Sequence, residues 1–378
     1  MSALNEEQVL LRDSAKAWVR EKSPVTALRR LRDSGSADGF DRAAWREMCA
    51  MGWAGVLIPE QFGGSGLGYR TIGLLLEETG RTLTASPLLS TALVAASALI
   101  LGGSAAQKDT WLPKIAEGKA IAALAVDEGA HHAPEAIALK AEKTGSGYAL
   151  SGEKRFVPDG GAADLIVVAA RTSGRSGDRN GITLFLVEGG AKDLSRQSLH
   201  SVDSRGVANL AFDNVAVDAD DVLGTIDRGF DLLDAVLDRA RAGLAAEMLG
   251  AAAQSFEITL DYLKTRTQFG QAIGTFQALQ HRAAKMFTEL ELTRSCVEAA
   301  LDGIDRNAND VPALASLAKA RAGDLWHLVS NEMVQMHGGI GMTDAHDAGL
   351  YLKRARVAEA LYGNSAFHRD RYASLMGY

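Results

Sequence analysis

The chain has 378 residues, of which 47% are hydrophobic and 23% charged, a globular profile with length for about two or three domains. Its formal net charge of −7 argues against a generic nucleic-acid surface, which needs clustered Lys and Arg, while leaving room for a local basic pocket. Two cysteines, Cys49 and Cys296, lie far apart without metal-type spacing, so reduced thiols are expected rather than a disulfide.

The opening residues Met1 to Glu7 show no basic region followed by an apolar run, so no secretion signal is expected. Val9, Leu10, Ala15 and Val19 recur at helical spacing, and Trp45, Met48, Cys49 and Met51 continue such a pattern. The cluster Gly63-Gly64-Ser65-Gly66 reads as a loop, because glycine is costly inside helices and strands. Helical patterns resume over Thr71 to Thr82 and Ser86 to Leu101. The most apolar stretch, around Leu88 to Leu101, is broken by Ser and Thr and is shorter than the ~20 residues of a membrane span. No membrane span and a cytoplasmic location are expected.

From about Ala120 the period changes from helical to alternating. Tyr148–Gly152, Ala163–Ala170, Ile182–Val187 and Asn209–Val217 are short, apolar and β-rich, separated by Gly, Ser and Asp turns. They predict a small antiparallel barrel or sandwich. Arg171 to Asn180 reads as a hairpin tip. His131-His132 has no third residue at metal-ligand spacing, so a loop or substrate contact is expected and no metal. Helical spacing returns at Phe230, where one helix of over thirty residues is followed by three more long patterns, broken near Gly270, Asn307 and Gly338. Four long helices with short connections predict an antiparallel bundle. The whole is an α+β multidomain chain: a helical domain (1–118), a β domain (119–224) and a four-helix bundle (225–378).

Four motifs carry a resemblance. Gly52 to Gly66 resembles a Gly-x6-Pro-Glu-x-x-Gly-Gly-x-Gly loop. Phe212–Val217 resembles a strand that closes a β domain. Arg266-Thr267-Gln268-Phe269-Gly270 followed by Phe276-Gln277 is similar to an Arg-x-x-Phe-Gly…Phe/His-Gln element, and Gln335 to Gly341 to a Gln-x-x-Gly-Gly-x-Gly element. In this order and spacing they resemble the acyl-CoA dehydrogenases over nearly the whole chain. The resemblance implies that family's fold and FAD held between the β domain and the bundle with help from a neighbouring subunit. It implies cofactor contacts from Arg266, Gln268, Phe269, Phe276, Gln277, Gln335, Gly338, Gly339, Phe156 and Asn364. His337, next to Gly338, is expected to pack at a helix end. The implied reaction is α,β-dehydrogenation of an acyl-CoA thioester. A base takes the α-proton, and the β-hydrogen leaves as hydride to FAD. Electron-transfer flavoprotein is the implied acceptor.

The departures from the family pattern lie where its chemistry sits. The family's base is a Glu at one of two positions, which fall here on Tyr362 and on Ala240. Tyrosine, with an ordinary pKa near ~10, is a poor base at neutral pH. Asp127 replaces the Thr of a Thr-Glu-Pro element whose Glu is Glu128, and Pro158 replaces a Thr that would hydrogen-bond the flavin ring. Asp238 and Arg241 keep an Asp-x-x-Arg pair expected near the acyl-CoA substrate, at i and i+3 on one helix face. Two explanations fit. In one, the chain is the Glu-lacking subunit of a heterotetramer with a Glu-bearing paralogue, like the smaller subunits that the segment Leu361 to Arg369 resembles. In the other it is a homodimeric or homotetrameric enzyme with a displaced base, the candidates being Asp238, Asp159, Glu128 and Tyr362. A non-enzymatic or an oxygenase member of the fold is the remaining alternative.

Overall fold

The computed structural model describes residues 4–378. The first helix, α1 (Glu6–Lys22), opens on a capping box in which the Asn5 side chain accepts from Gln8 N and the Gln8 side chain from Asn5 N. Ala15 and Val19 are buried, but Leu10, expected in the same stripe, is 73% exposed. Next come α2 (Val25–Ser34), α3 (Arg42–Ala50), α4 (Gly68–Arg81), α5 (Ala96–Gly102) and α6 (Ala105–Ala116). Trp45, Met48 and Cys49 form the buried face of α3, as their spacing predicts. The apolar run before α5 is a π-helical segment, Leu88–Ala95, with every residue buried. Burial all round is why it is apolar apart from Ser90 and Thr91.

Contacts divide the chain into two compact units. One comprises residues up to Arg29, Tyr69–Thr84 and Arg241–Tyr378, the other Arg30–Gly68 and Ala85–Ala240. The second unit holds an eight-stranded sheet: β1 (Ala122–Ala125), β2 (Lys140–Lys143), β3 (Gly147–Pro158), β4 (Leu165–Arg171), β5 (Ile182–Glu188), β6 (Leu194–Ser198), β7 (Val207–Asp218) and β8 (Val222–Leu223). The order is β6-β7-β3-β2-β4-β5-β8, with β1 beside β4. The sheet is mixed rather than purely antiparallel, because β1 and β2 both meet β4 in parallel. β1 reaches β4 only after β2 and β3 have intervened, the long connection that a parallel pair requires.

β4 is buried along its whole length and β5 along nearly all of it, so both read as continuous apolar runs. On the π-helical side, Thr91 Oγ1 donates to Ala122 O at 2.9 Å and accepts from Ala122 N at 2.9 Å. The β4–β5 hairpin tip is pinned by Arg171, whose Nη1 donates to Asp178 O and Asn180 O, both at 2.9 Å. Two irregularities bend β3 against β7, one of them between Lys154 and Val157. The second leaves Phe156 at φ +53 and turns its ring outward.

The first unit is helical. It takes in most of α7 (Gly229–Thr265, 37 residues), then α8 (Gln277–Asp305), α9 (Val311–His337), α10 (Ala348–Ala360) and α11 (Ser365–Leu375). α4 and α7 cross with their backbones in contact: a Cβ on Gly250 would sit 1.8 Å from Glu77 O, and one on Gly80 2.2 Å from Glu247 O. Only glycine allows that approach. The Asp305 carboxylate, at the end of α8, accepts from the backbone of Tyr69 at 2.6 Å and of Arg70 at 2.8 Å, satisfying donors that the start of α4 leaves orphaned. The expected fourth long helix is interrupted. Tyr362 (φ 57) and Gly363 (φ 103) are both left-handed, and Asn364 caps α11 by accepting from Phe367 N at 2.9 Å. Among the described residues no helix is long and apolar enough to cross a membrane.

Candidate functional site

The interruption between α10 and α11 is where the sequence placed the family's base. Tyr362 is buried, 4% exposed. Its carbonyl accepts from His368 Nε2 at 3.0 Å and from Arg241 Nε at 3.5 Å. Because the partner is a carbonyl, His368 carries its proton on Nε2. Lys319, fully buried on α9, donates from Nζ to Gly363 O at 2.9 Å and Glu359 O at 3.1 Å. Burial pushes the Lys319 ammonium down to about 7; nearby Glu359 opposes that shift, while Arg241 and Arg354 add to it. Arg354 is itself paired with buried Glu247 at 2.8 Å.

Arg241, expected on the substrate side, is fully buried. Its guanidinium lies 5.6 Å over the Phe367 ring and its Nε faces the Tyr362 carbonyl. It holds the chain at residue 362, an interior role that a charged group on the i, i+3 pattern did not disclose. Asp238 is buried on the same helix, α7, which also carries Ala240 at the second base position.

Two displaced-base candidates are committed elsewhere, in the β-bearing unit. Glu128 accepts from Ala138 N at 2.9 Å, Leu139 N at 3.0 Å and Lys154 Nζ at 2.7 Å. Lys154 is fully buried, and desolvation lowers its pKa against the pull of Glu128. Asp159, left-handed at φ +53, accepts from Ser90 Oγ at 2.5 Å. Both carboxylates accept hydrogen bonds from groups of the β-bearing unit. His132 Nδ1 sits 3.0 Å from both oxygens of Asp127, a loop role.

The residues expected to hold the dinucleotide fall mostly on the helical unit and face outward. Arg266, Gln268, Gln277, Gln335, Gly338 and Gly339 are all exposed. A two-strand ribbon, β9 (Thr267–Gln268) and β10 (Gln271–Ala272), turns at Phe269 and Gly270, both left-handed. Phe269 holds that strained backbone while 90% exposed, its ring edge-on to Phe276 at 6.1 Å. Gly338, at φ +64, ends α9, and no heavy atom lies within 4 Å of where a Cβ would be on it or on Gly339. His337 packs at that helix end as expected, its Nδ1 donating to Met333 O at 2.7 Å and its ring 4.3 Å from Tyr262. A permanently charged fork, amide side chains and a bare backbone suit a dinucleotide pyrophosphate. The helical side fits FAD. The Asn364 side-chain oxygen accepts from Phe367 N as the α11 cap.

The β side is different. Along 155–160 the backbone donors are used internally: Arg155 N goes to Asp127 O, Phe156 N to Asn209 Oδ1, Asp159 N to Gly206 O and Gly160 N to Val157 O. Pro158 has no donor. The Phe156 side chain there is 51% exposed.

Comparison with known proteins agrees with this geometry. Family profiles described as acyl-CoA dehydrogenase N-terminal, middle and C-terminal domains match residues 5–119, 126–215 and 227–376. Mitochondrial isovaleryl-CoA dehydrogenase of Pongo abelii is 32% identical over 378 residues, covering 98% of this chain and 88% of its own. This chain belongs to the acyl-CoA dehydrogenase family. It is thereby a flavoprotein oxidoreductase whose cofactor is FAD. Among solved structures, butyryl-CoA dehydrogenase from Megasphaera elsdenii superposes with a TM-score of 0.92 at 25% identity, covering 100% of this chain and 99% of its own. A variant of the Tcur3481-Tcur3483 steroid ACAD superposes at 0.89 with 32% identity and 98% coverage of both chains. The family pattern pointed to Tyr362 and Arg241 but not to Lys319. Its only signal was a lysine set among Ala315, Ala318, Ala320 and Ala322, all of them buried.

Proposed function

We propose that this chain is the base-lacking subunit of a heteromeric acyl-CoA dehydrogenase. It pairs with a Glu-bearing homologous chain and lends its helical side to a shared FAD site. The observation that carries the reading is the buried Tyr362 in the base slot, its carbonyl held by His368 and Arg241 and the flanking carbonyls of Glu359 and Gly363 by Lys319. A phenol there does not take the α-proton of a thioester at neutral pH. The 90% exposure of Phe269 and the outward donors beside it suit a surface that a second chain covers. The spent backbone donors on the β side suit a chain that does not grip a flavin ring by itself. The likeness to the Tcur3481-Tcur3483 steroid ACAD supports the paired arrangement.

FAD, when bound, would supply the hydride acceptor for the β-hydrogen of the acyl-CoA. Arg266 and Gln335 would orient the dinucleotide, and Gly338 and Gly339 would let it approach the backbone. The α-proton goes to the partner's carboxylate. The proposed electron acceptor is electron-transfer flavoprotein, and the proposed location is the cytoplasm. The test is the absorption spectrum of the chain purified alone, with flavin counted per chain, against the chain co-expressed with a Glu-bearing paralogue. Flavin only in the co-expressed pair is expected. Near-stoichiometric FAD in the lone chain that bleaches with acyl-CoA under anaerobic conditions refutes the reading.

A second reading rests on Asp238, buried on α7 near the Ala240 position. If its carboxylate takes the α-proton, the chain is a self-sufficient enzyme. Loss of bleaching in D238N, with flavin retained, would select it.

A further inference from the structure

We infer that Lys319 is a positioning residue that fixes the main chain of residue 362 in the family's base slot, so the slot keeps its shape although the base is gone. The inference rests on reading Tyr362 as the occupant of that slot. Lys319 reaches the carbonyls of Glu359 and Gly363, one on each side of Tyr362. Those carbonyls lie where α10 ends, so the helix no longer supplies them with donors. Many helices stop on one left-handed glycine and need no buried charge to do so. Here two successive residues are left-handed, Tyr362 and Gly363, and the first carries a side chain that disfavours the conformation.

Such a backbone persists only when its surroundings hold it. The holders come from three helices: Arg241 from α7, Lys319 from α9 and His368 from α11. Each is buried, and each donates to a main-chain carbonyl between residues 359 and 363. These bonds address main-chain carbonyls. Pinning carbonyls on both sides of one residue sets the direction of its Cα–Cβ bond whatever side chain follows. Lys319 is the member that bridges both flanks, which singles it out from Arg241 and His368.

The test is hydrogen exchange by mass spectrometry on the full chain as wild type, K319M and K319R. Peptides over 357–368 are read against a reference peptide over 325–336 in α9. K319M keeps the length and removes the donors. Exchange over 357–368 is expected to quicken at least tenfold with the reference unchanged, and K319R, which keeps donors, is expected to exchange more slowly than K319M. Acceleration equal in both peptides shows general destabilisation and overturns the proposal, as does no acceleration, or a folded K319R as fast as K319M. Should K319M fail to fold, K319Q carries the same comparison, because its amide is too short to bridge both carbonyls. The readout needs no flavin. Flavin content of the same preparations reports separately on the paired-subunit reading.

Discussion

Glu128 is the candidate base whose structural role is most directly measurable. Its carboxylate is the hub of a buried cluster: two backbone amides and the Lys154 ammonium donate to it, and Lys154 also donates to Val126 O at 2.9 Å. In E128Q the amide keeps one acceptor and points an NH2 group at a neighbouring donor. Lys154, fully buried, loses its counter-charge. Removing one member of a buried ion pair costs about 3–5 kcal/mol. The Glu128 side chain keeps 17% exposure, and Gln retains one neutral hydrogen bond, so the low end, about 3 kcal/mol, is expected. E128Q/K154M removes both charges, and the double variant should be more stable than E128Q alone. Urea unfolding followed by circular dichroism measures all three, with a second probe to check two-state behaviour. In the flavin-loaded assembly, folded E128Q should reduce flavin at close to the wild-type rate. A cost below about 1 kcal/mol, strict additivity in the double variant, or a hundredfold loss of rate in folded E128Q would refute the structural assignment.

Three further outcomes follow from the same geometry. R266A should weaken flavin binding in the assembly by about ten- to a hundredfold, the worth of one charge-assisted contact. R266K should recover little of it, since an ammonium lacks the guanidinium fork; fluorescence titration of flavin reads both. Y362F should change turnover less than about twofold, because removing a hydroxyl that is not the base leaves the proton transfer intact, and a large loss in steady-state assays would make the phenol a participant. Lys319 titrates near 7 in the fold and near 10.5 in the unfolded chain. Between those values the unfolded chain binds the extra proton, so wild-type stability gains on K319M as pH rises through that window. A stability difference between the two that is flat with pH in denaturation series at pH 6–10 would contradict the shift.

Much of the architecture was legible because it is written in periodicity. β4 and β5 announced themselves as unbroken apolar runs since both faces are covered, and α7 as a long helical pattern since its buried face spans most of its length. β2 and β6 were missed for the opposite reason. Lys140–Lys143 buries only Ala141, and Leu194–Ser198 buries nothing fully, so neither shows alternation. The parallel pairing of β1 with β4 was hidden because a strand's own residues do not name its partner. Leu10 fitted a helical stripe and turned out exposed, since period alone does not say which face meets a core.

At the site the division is sharper. The family resemblance put the expected base position on Tyr362 and proposed Arg266, Gln277 and Gln335 as dinucleotide contacts, because motif spacing along the chain is a local property. It did not tell that Glu128 and Asp159 are bonded into the β-bearing unit, or that Arg241 and Lys319 turn inward to the chain at 362. Those facts depend on which groups burial brings together across dozens of residues. A charged side chain has the same letter whether water or a carbonyl receives its proton, and only the tertiary structure decides between them.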